Sequence, residues 1–235
     1  MKEYGLIEFF NLIDYNYTKD LENLGTICKY TKTRIKSGMS QIHPFPFVRG
    51  MEQTFFIKAV LEWFNARSFF EIGTGRGTAS YAAAIIPEIE KITTIDIIPF
   101  QQKTNTAVNF QPAFVSNKDI YDLIPFSEKR KILFKTRDHV EKQDDFDVCF
   151  IDGNHDHTRT ILEDLIYCRK VMRDDGIIIW DDYDQTRYSV KKVVDALLEK
   201  EEGLQAIWIH TRGHLFGENE ETDAGIVLMR KGKIL

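Results

Sequence analysis

The sequence has little of what marks secreted, membrane-spanning or disulfide-bonded proteins. Its 235 residues include 3 cysteines, an odd number scattered through apolar segments, which indicates reduced thiols. The longest apolar runs, residues 148–151 and 177–180, have the length of β-strands and are too short to span a bilayer. The first ten residues are acidic where a secretory signal would be basic. We therefore expect a protein of the reducing cytoplasm with no membrane partner.

An excess of positive charge is also lacking. The 31 Lys and Arg residues are outnumbered by 36 Asp and Glu residues, which leaves a net charge of -5. Such a chain has no bulk attraction for the backbone of a nucleic acid. The apolar fraction of 43% and the charged fraction of 29% are ordinary for a globular domain. The charge balance favours a small-molecule partner over DNA or RNA.

The first fifty residues form a different pattern from the rest of the chain. Two short amphipathic helices are expected within residues 1–36, and a longer helix at residues 51–66. Between them, the two prolines of residues 42–47 exclude regular structure. We therefore divide the chain into an N-terminal helical cap, residues 1–50, and a main domain, residues 51–235. The aromatic-rich cap is compatible with a homo-oligomer.

From residue 68 onward, short apolar runs alternate with helices, which is typical of a parallel sheet. Strands are expected at residues 68–72, 92–96, 132–135, 146–151 and 177–181. Helices are expected at residues 78–86, 158–172 and 189–200. A polar loop separates the last two strands, 205–210 and 224–230, which should pair antiparallel. The sequence predicts an α/β fold with helices on both faces of one sheet.

Two segments rich in aromatic residues do not fit this alternation. One is the proline-containing loop at residues 42–47, and the other is an insertion at residues 99–130. Aromatic side chains in such segments either wall a substrate pocket or pack on the core or on a partner subunit. Both interpretations remain open at this point.

The strongest local signal is the segment FFEIGTGRGTAS at residues 69–80. A predicted strand ends, glycines follow at alternate positions, and a helix begins; these glycines are Gly73, Gly75 and Gly77. They allow a sharp turn and a close approach to a ligand. The GxGxG spacing differs from the GxGxxG of dinucleotide-binding enzymes. Glu71, just before the turn, would repel a phosphate but suits an ammonium group.

The next strand ends at Asp96, where a carboxylate can accept hydrogen bonds from both hydroxyls of a ribose. Together with the glycine segment, this residue resembles the first two motifs of S-adenosylmethionine (SAM)-dependent methyltransferases. The resemblance implies that Glu71 holds the amino end of the methionine, that Asp96 holds the ribose, and that Thr74 and its neighbouring glycines contact the cofactor. Asp138, just after the third strand, is a further candidate, facing the adenine. A glycine-rich turn alone is equally compatible with a plain strand–helix connection.

Acidic residues end the fourth and fifth predicted strands. Asp152 ends the fourth, with His155 three residues later, and Asp181 and Asp182 end the fifth. The carboxyl ends of neighbouring parallel strands converge on one crevice. Three carboxylates there repel one another unless a cation neutralises them, and oxygen ligands suit Mg²⁺ or Mn²⁺. Each aspartate alone can also be explained as a turn cap.

This arrangement resembles the metal-dependent small-molecule O-methyltransferases, in particular the macrocin and mycinamicin sugar O-methyltransferases and, more distantly, the catechol type. The resemblance covers about residues 50–230, without the insertion at residues 99–130 and without the N-terminal cap. It implies that Asp152, Asp181 and Asp182 hold Mg²⁺ or Mn²⁺, that Asp152 thereby takes part in catalysis, and that His155 is the general base. His157 competes for that role. The catechol type has an asparagine in place of Asp182 and a lysine as the base.

The expected activity is therefore metal-assisted O-methylation of a hydroxyl on a small molecule, such as a sugar or a diol. Two alternatives stay open. One is a metal-independent N-methyltransferase whose acidic cluster orients an amine. The other is a non-catalytic SAM-binding protein on the same fold. The glycine spacing disfavours an NAD-dependent oxidoreductase.

Overall fold

The computed structural model describes residues 1–31, 50–108, 111–137, 145–184, 189–211, 213–216 and 225–235. The strands are β1 (Lys2–Gly5), β2 (Ser68–Ile72), β3 (Lys91–Asp96), β4 (Thr104–Val108), β5 (Gln111–Val115), β6 (Ile132–Thr136), β7 (Phe146–Ile151), β8 (Met172–Tyr183), β9 (Leu204–His210) and β10 (Gly225–Lys231). The α-helices are α1 (Leu6–Leu12), α2 (Leu21–Thr31), α3 (Glu52–Trp63), α4 (Thr78–Ala84), α5 (Asn117–Leu123), α6 (Thr158–Val171) and α7 (Val190–Lys200). Short 3₁₀ turns lie at Tyr17–Asp20 and Ser127–Lys131.

Eight of these strands form one sheet, in the order β1-β9-β10-β8-β7-β2-β3-β6. Strand β10 runs antiparallel to both of its neighbours, β8 and β9, and the other pairs are parallel. The predicted sheet, mostly parallel with an antiparallel C-terminal hairpin, is confirmed. Chain order reverses between β2 and β7, whose carboxyl ends therefore frame a crevice.

Both faces of the sheet are covered, so its central strands are mostly apolar. Along β7, Val148 and Phe150 join the core beneath α3 and α4, while Cys149 and Ile151 join the core beneath α6 and α7. This alternation follows from the two-residue period of a strand. It explains why the central strands read as continuous apolar runs in the sequence.

The N-terminal segment contains the two expected helices, α1 and α2, and an additional strand. Strand β1 lies at the edge of the sheet, parallel to β9, with Gly5 opposite His210. Phe9 of α1 is fully buried and packs on Phe56 of α3, with ring centroids 5.5 Å apart. The loop at residues 42–47 lies outside the described residues. The division at residue 50 stays a prediction.

The insertion at residues 99–130 has its own secondary structure. Strands β4 and β5 form an antiparallel hairpin, and α5 follows. Ser116 and Asp119 form a capping box that starts α5. Phe100 stacks on Phe134 of β6, with ring centroids 4.3 Å apart, and Tyr121 meets Phe134 edge to face. These aromatic rings therefore pack on the edge of the sheet.

Within the part of the chain that the structure describes, no helix is long and apolar enough to cross a membrane.

Candidate active site

A cavity of about 480 Å³ opens at the carboxyl ends of β2, β3 and β7. This volume lies within the usual range for small-molecule sites, roughly 300–1,000 Å³. Its lining includes the glycine loop, the carboxylates of Glu71, Asp96 and Asp152, and the Arg137–Asp164 pair. Several groups predicted from separate segments of the sequence thus face one space.

The three glycines of the loop have different roles. Gly73 has φ +92, and a Cβ there would lie 2.0 Å from the carbonyl oxygen of Asp152. Gly77, with φ +77, begins α4, and its Cβ would lie 2.9 Å from the ring of Tyr81. A Cβ on Gly75 would meet nothing within 4 Å. Gly73 is therefore required by the packing of β2 against β7, whereas Gly75 borders the open cavity.

Glu71 is a buried carboxylate held by hydroxyl groups. Its Oε2 accepts hydrogen bonds from Ser80 Oγ at 2.5 Å and from Thr94 Oγ1 at 2.7 Å. Thr94 has one hydroxyl proton, so Thr74, 2.7 Å away, donates to the Thr94 oxygen. Ser80 and Thr94 were not predicted as site residues, because in the sequence they look like ordinary residues of a helix and a strand. The network fixes an anionic group in the cavity wall, where it can receive an ammonium ion.

Asp96 stands at the end of β3 and is held by backbone amides. Its Oδ2 accepts a hydrogen bond from the Gly75 N–H, and its Oδ1 accepts one from the Ile98 N–H, both at 3.0 Å. The next residue, Ile97, is 85% exposed and also lines the cavity. A fixed carboxylate beside an exposed apolar side chain suits a ribose diol with its attached base.

The cavity wall also contains an ion pair that was not predicted from the sequence. Arg137 Nη1 lies 2.9 Å from Oδ1 of Asp164, which is 1% exposed. Burial raises the pKa of Asp164, and the charge of Arg137 opposes that rise. The only available signal was a carboxylate within the apolar stripe of α6. Asp138 lies outside the described residues, and its contact with adenine stays a prediction.

Asp152, His155 and Asp182 form a second group, the strand-tip cluster. Each offers one ligand atom, and these atoms all lie within 4.8 Å of one another. His155 Nδ1 lies 3.4 Å from Asp182 Oδ2. Among the described residues, Asp181 does not belong to this cluster. His157 is exposed and precedes the first turn of α6.

A β-bulge in β8 explains why Asp182 and not Asp181 joins the cluster. Trp180 and Tyr183 pack in the same core although they are three residues apart, so β8 contains one extra residue between them. The pairing with β10 shifts at the same place, from Gly225 opposite Tyr183 to Val227 opposite Trp180. Asp182 lies at this bulge and has a left-handed backbone conformation, with φ +53.

Residues 70–183 match the model of a family described as "Methyltransferase domain". The fold is similar to that of the O-methyltransferase TomG from Streptomyces achromogenes, solved with SAM. This likeness has 15% identity and a TM-score of 0.54, over 92% of this chain and 90% of that one. It is also similar to an O-methyltransferase from Bacillus cereus, solved with SAH. There the identity is 14% and the TM-score 0.50, over 90% of this chain and 88% of that one. A search of curated proteins finds no match.

Proposed function

We propose that this chain transfers the methyl group of SAM to a hydroxyl group of a small molecule, because residues 70–183 match a methyltransferase domain and the fold is similar to that of a SAM-bound O-methyltransferase. The observation that carries the proposal is that Glu71, Asp96 and the glycine loop all line the same cavity. Each carboxylate matches one hydrogen-bonding part of SAM: Glu71 matches the ammonium group, and Asp96 matches the ribose hydroxyls.

The chemistry is an in-line displacement at the methyl carbon. The acceptor oxygen forms a bond to that carbon, the carbon–sulfur bond breaks, and its electron pair stays on the sulfur of the leaving SAH. Alignment of the two reactants is the main contribution asked of the protein, and it reaches roughly 7–11 kcal/mol in the best intramolecular cases. The cavity walls supply this alignment by holding both ends of the cofactor.

The proton of the acceptor hydroxyl must pass to a base. Asp152 lines the cavity, and one of its two carboxylate oxygens can accept this proton while the other faces the strand-tip cluster. The side chain of His155 is 2% exposed and is not part of that lining. The general-base role of His155 stays a prediction.

The chemistry of the strand-tip cluster fits a divalent cation. Asp152 and Asp182 supply carboxylate oxygens at short mutual range, which would otherwise repel each other. A divalent ion held there would neutralise this charge and lower the pKa of an acceptor hydroxyl. The predicted participation of Asp181 also stays a prediction.

The acceptor class follows from the charge of the protein and from this cluster. A net charge of -5 does not favour nucleic acid, and vicinal oxygens are natural partners of a hard cation. We therefore propose a sugar or another diol as the acceptor.

The test compares hydroxyl acceptors with matched amines. Purified protein, SAM and Mg²⁺ or Mn²⁺ are incubated with catechol, with vicinal-diol sugars and with their amino analogues, and SAH release is measured. We expect release with a hydroxyl acceptor, lost in EDTA and restored by the metal. Turnover of the amines that EDTA leaves unchanged would favour the N-methyltransferase alternative. SAM binding without turnover would favour a non-catalytic role.

A further inference from the structure

We propose that His155 is a ligand of the ion in the strand-tip cluster and not the general base, and that its nitrogen makes the site prefer Mn²⁺ and similar transition-metal ions to Mg²⁺. This inference rests on the proposed divalent-ion site. It assigns to this chain a ligand set of one nitrogen and two carboxylates.

The position of the imidazole supports a ligand role. Its side chain is 2% exposed, and it lies against Asp182 and not along the cavity wall. A general base must come within hydrogen-bond reach of the acceptor proton, and this ring is not among the residues that line the cavity. A ligand needs only to face the other donors, and Nδ1 does face Asp182 Oδ2.

The spacing of the donors is that of groups around one ion. The His155–Asp182 distance of 3.4 Å is long for a charge-assisted hydrogen bond. Two donors bound to one ion at about 2.1 Å lie between about 3.0 and 4.2 Å apart. The three donor atoms, all within 4.8 Å of one another, need only small shifts to reach that range.

The backbone holds the ligands in place. The Asp152 N–H donates to Ile72 O at 2.9 Å, and His155 O accepts from the Ser189 N–H at 3.1 Å. Within the turn that follows Asp152, the Asp156 N–H donates to Asn154 Oδ1 at 2.9 Å. The turn that carries the first two ligands is therefore anchored to β2 and to the start of α7, and the bulge in β8 brings the third.

The nitrogen donor decides which ions bind well. Mg²⁺ takes oxygen ligands almost entirely and keeps several waters. Imidazole suits the ions of iron, nickel, copper and zinc, and the series of rising affinity at a mixed site begins with Mn²⁺. A cluster of two carboxylates and one imidazole should therefore bind Mn²⁺ more tightly than Mg²⁺.

The test is pulsed electron paramagnetic resonance of the folded protein loaded with Mn²⁺ alone. We expect ¹⁴N modulation from a coordinated imidazole in the wild type, replaced by ¹⁵N coupling when the protein is made with ¹⁵N-histidine. This experiment needs no variant. The modulation should disappear in His155→Gln and persist in the matched control His157→Gln.

Calorimetry with Mn²⁺ and Mg²⁺ gives the second readout. We expect His155→Gln to weaken Mn²⁺ binding by at least about tenfold and to reduce the preference for Mn²⁺ over Mg²⁺. SAH affinity should be unchanged, which shows that the variant is folded. Bound Mn²⁺ without nitrogen coupling would overturn the inference and leave the ion site standing. No binding of either ion would overturn both, while SAH binding would still test the methyltransferase proposal separately.

Discussion

At the scale of single residues, the site depends on side chains whose surroundings fix their charge or their direction. Glu71 is held by two hydroxyl groups and Asp96 by two backbone amides. Asp182 is turned toward His155 by an irregular backbone conformation. Such fixed groups bind a ligand without first losing conformational freedom. Substitutions that keep the shape of such a side chain and remove its charge therefore test its role in ligand binding.

Glu71→Gln should weaken SAH binding by about tenfold or more, because the ammonium group of the cofactor loses a charged partner. The matched ligand is 5′-methylthioadenosine, which has the same nucleoside and lacks the amino-acid group. Calorimetry should show nearly equal affinity of wild type and variant for that ligand. An equal loss for both ligands would mean that Glu71 serves the fold and not the ammonium group.

Gly73→Ala should destabilise the fold much more than Gly75→Ala, because Gly73 is needed for packing and Gly75 borders the open cavity. At Gly73 a Cβ would overlap the Asp152 carbonyl, so we expect the alanine variant to have a free energy of unfolding lower by at least about 3 kcal/mol. At Gly75 the Cβ has space, and only the strain of φ +50 remains, about 1 kcal/mol. Urea denaturation measures both values. Equal destabilisation by the two substitutions would contradict the assigned roles.

Site residues at the ends of regular strands could be predicted from the sequence. The positions of site residues in irregular backbone could not. Asp96 ends β3 and Asp152 follows β7, two strands predicted from the sequence, and both residues line the cavity. The bulge at Asp182 has no signature in the sequence, so Asp181 and Asp182 were expected to act alike. Arg137 and Asp164 pair across 27 positions, and nothing local in the sequence indicates such a contact.

At the scale of elements, buried polar groups attach the loops to the sheet and helices. Glu52, in the first turn of α3, is fully buried. Its Oε1 accepts from the Gly213 N–H at 2.9 Å and from the Phe216 N–H at 3.3 Å, and its Oε2 accepts from the Gly50 N–H. One carboxylate thus connects the start of α3 to the segment that follows β9. Gln53, the next residue, lines the cavity, so this link also supports the cofactor site.

Glu52 should make stability depend on pH. Burial raises the pKa of this carboxyl above its ordinary value, against the opposing effect of the backbone N–H groups. A raised pKa means that the folded state binds the proton more tightly than the unfolded state. The contribution of Glu52 to stability is therefore full below the ordinary pKa of about 4.3 and is lost as pH rises through the raised value.

The comparison with Glu52→Gln isolates this contribution. Melting temperatures of both proteins are measured from pH 4.5 to pH 8. The wild-type value minus the variant value should become smaller as pH rises. A difference that stays constant or grows with pH would show that the carboxyl is not destabilised by its burial.

Helices and strands with a clear pattern of apolar residues were predicted well. Strands that form only because they pair with a neighbouring strand were not predicted. Helix α6 and strand β7 lie where their apolar patterns placed them. The four residues of β1 carry no alternating pattern, and only the edge of β9 makes them a strand. The hairpin of β4 and β5 lies outside the main sheet, so the apolar pattern of the sheet gives no sign of it.

At the scale of the whole molecule, the predicted Rossmann-like methyltransferase fold is confirmed by the structural likenesses, and the predicted methyltransferase class by the family match over residues 70–183. The strand order brings the glycine loop, Asp96 and Asp152 to one edge of the sheet although they come from separate segments. The acceptor, the metal and the quaternary structure do not follow from the fold, because they depend on loops that differ among proteins with this sheet.

The most direct test of the account is calorimetric titration of the purified protein with SAM, repeated on Asp96→Ala. We predict that one SAM binds per chain and that Asp96→Ala, which removes the partner of the ribose, weakens binding by at least about tenfold. Thermal melting would show that the variant is folded. A folded wild-type protein that does not bind SAM would contradict the central claim.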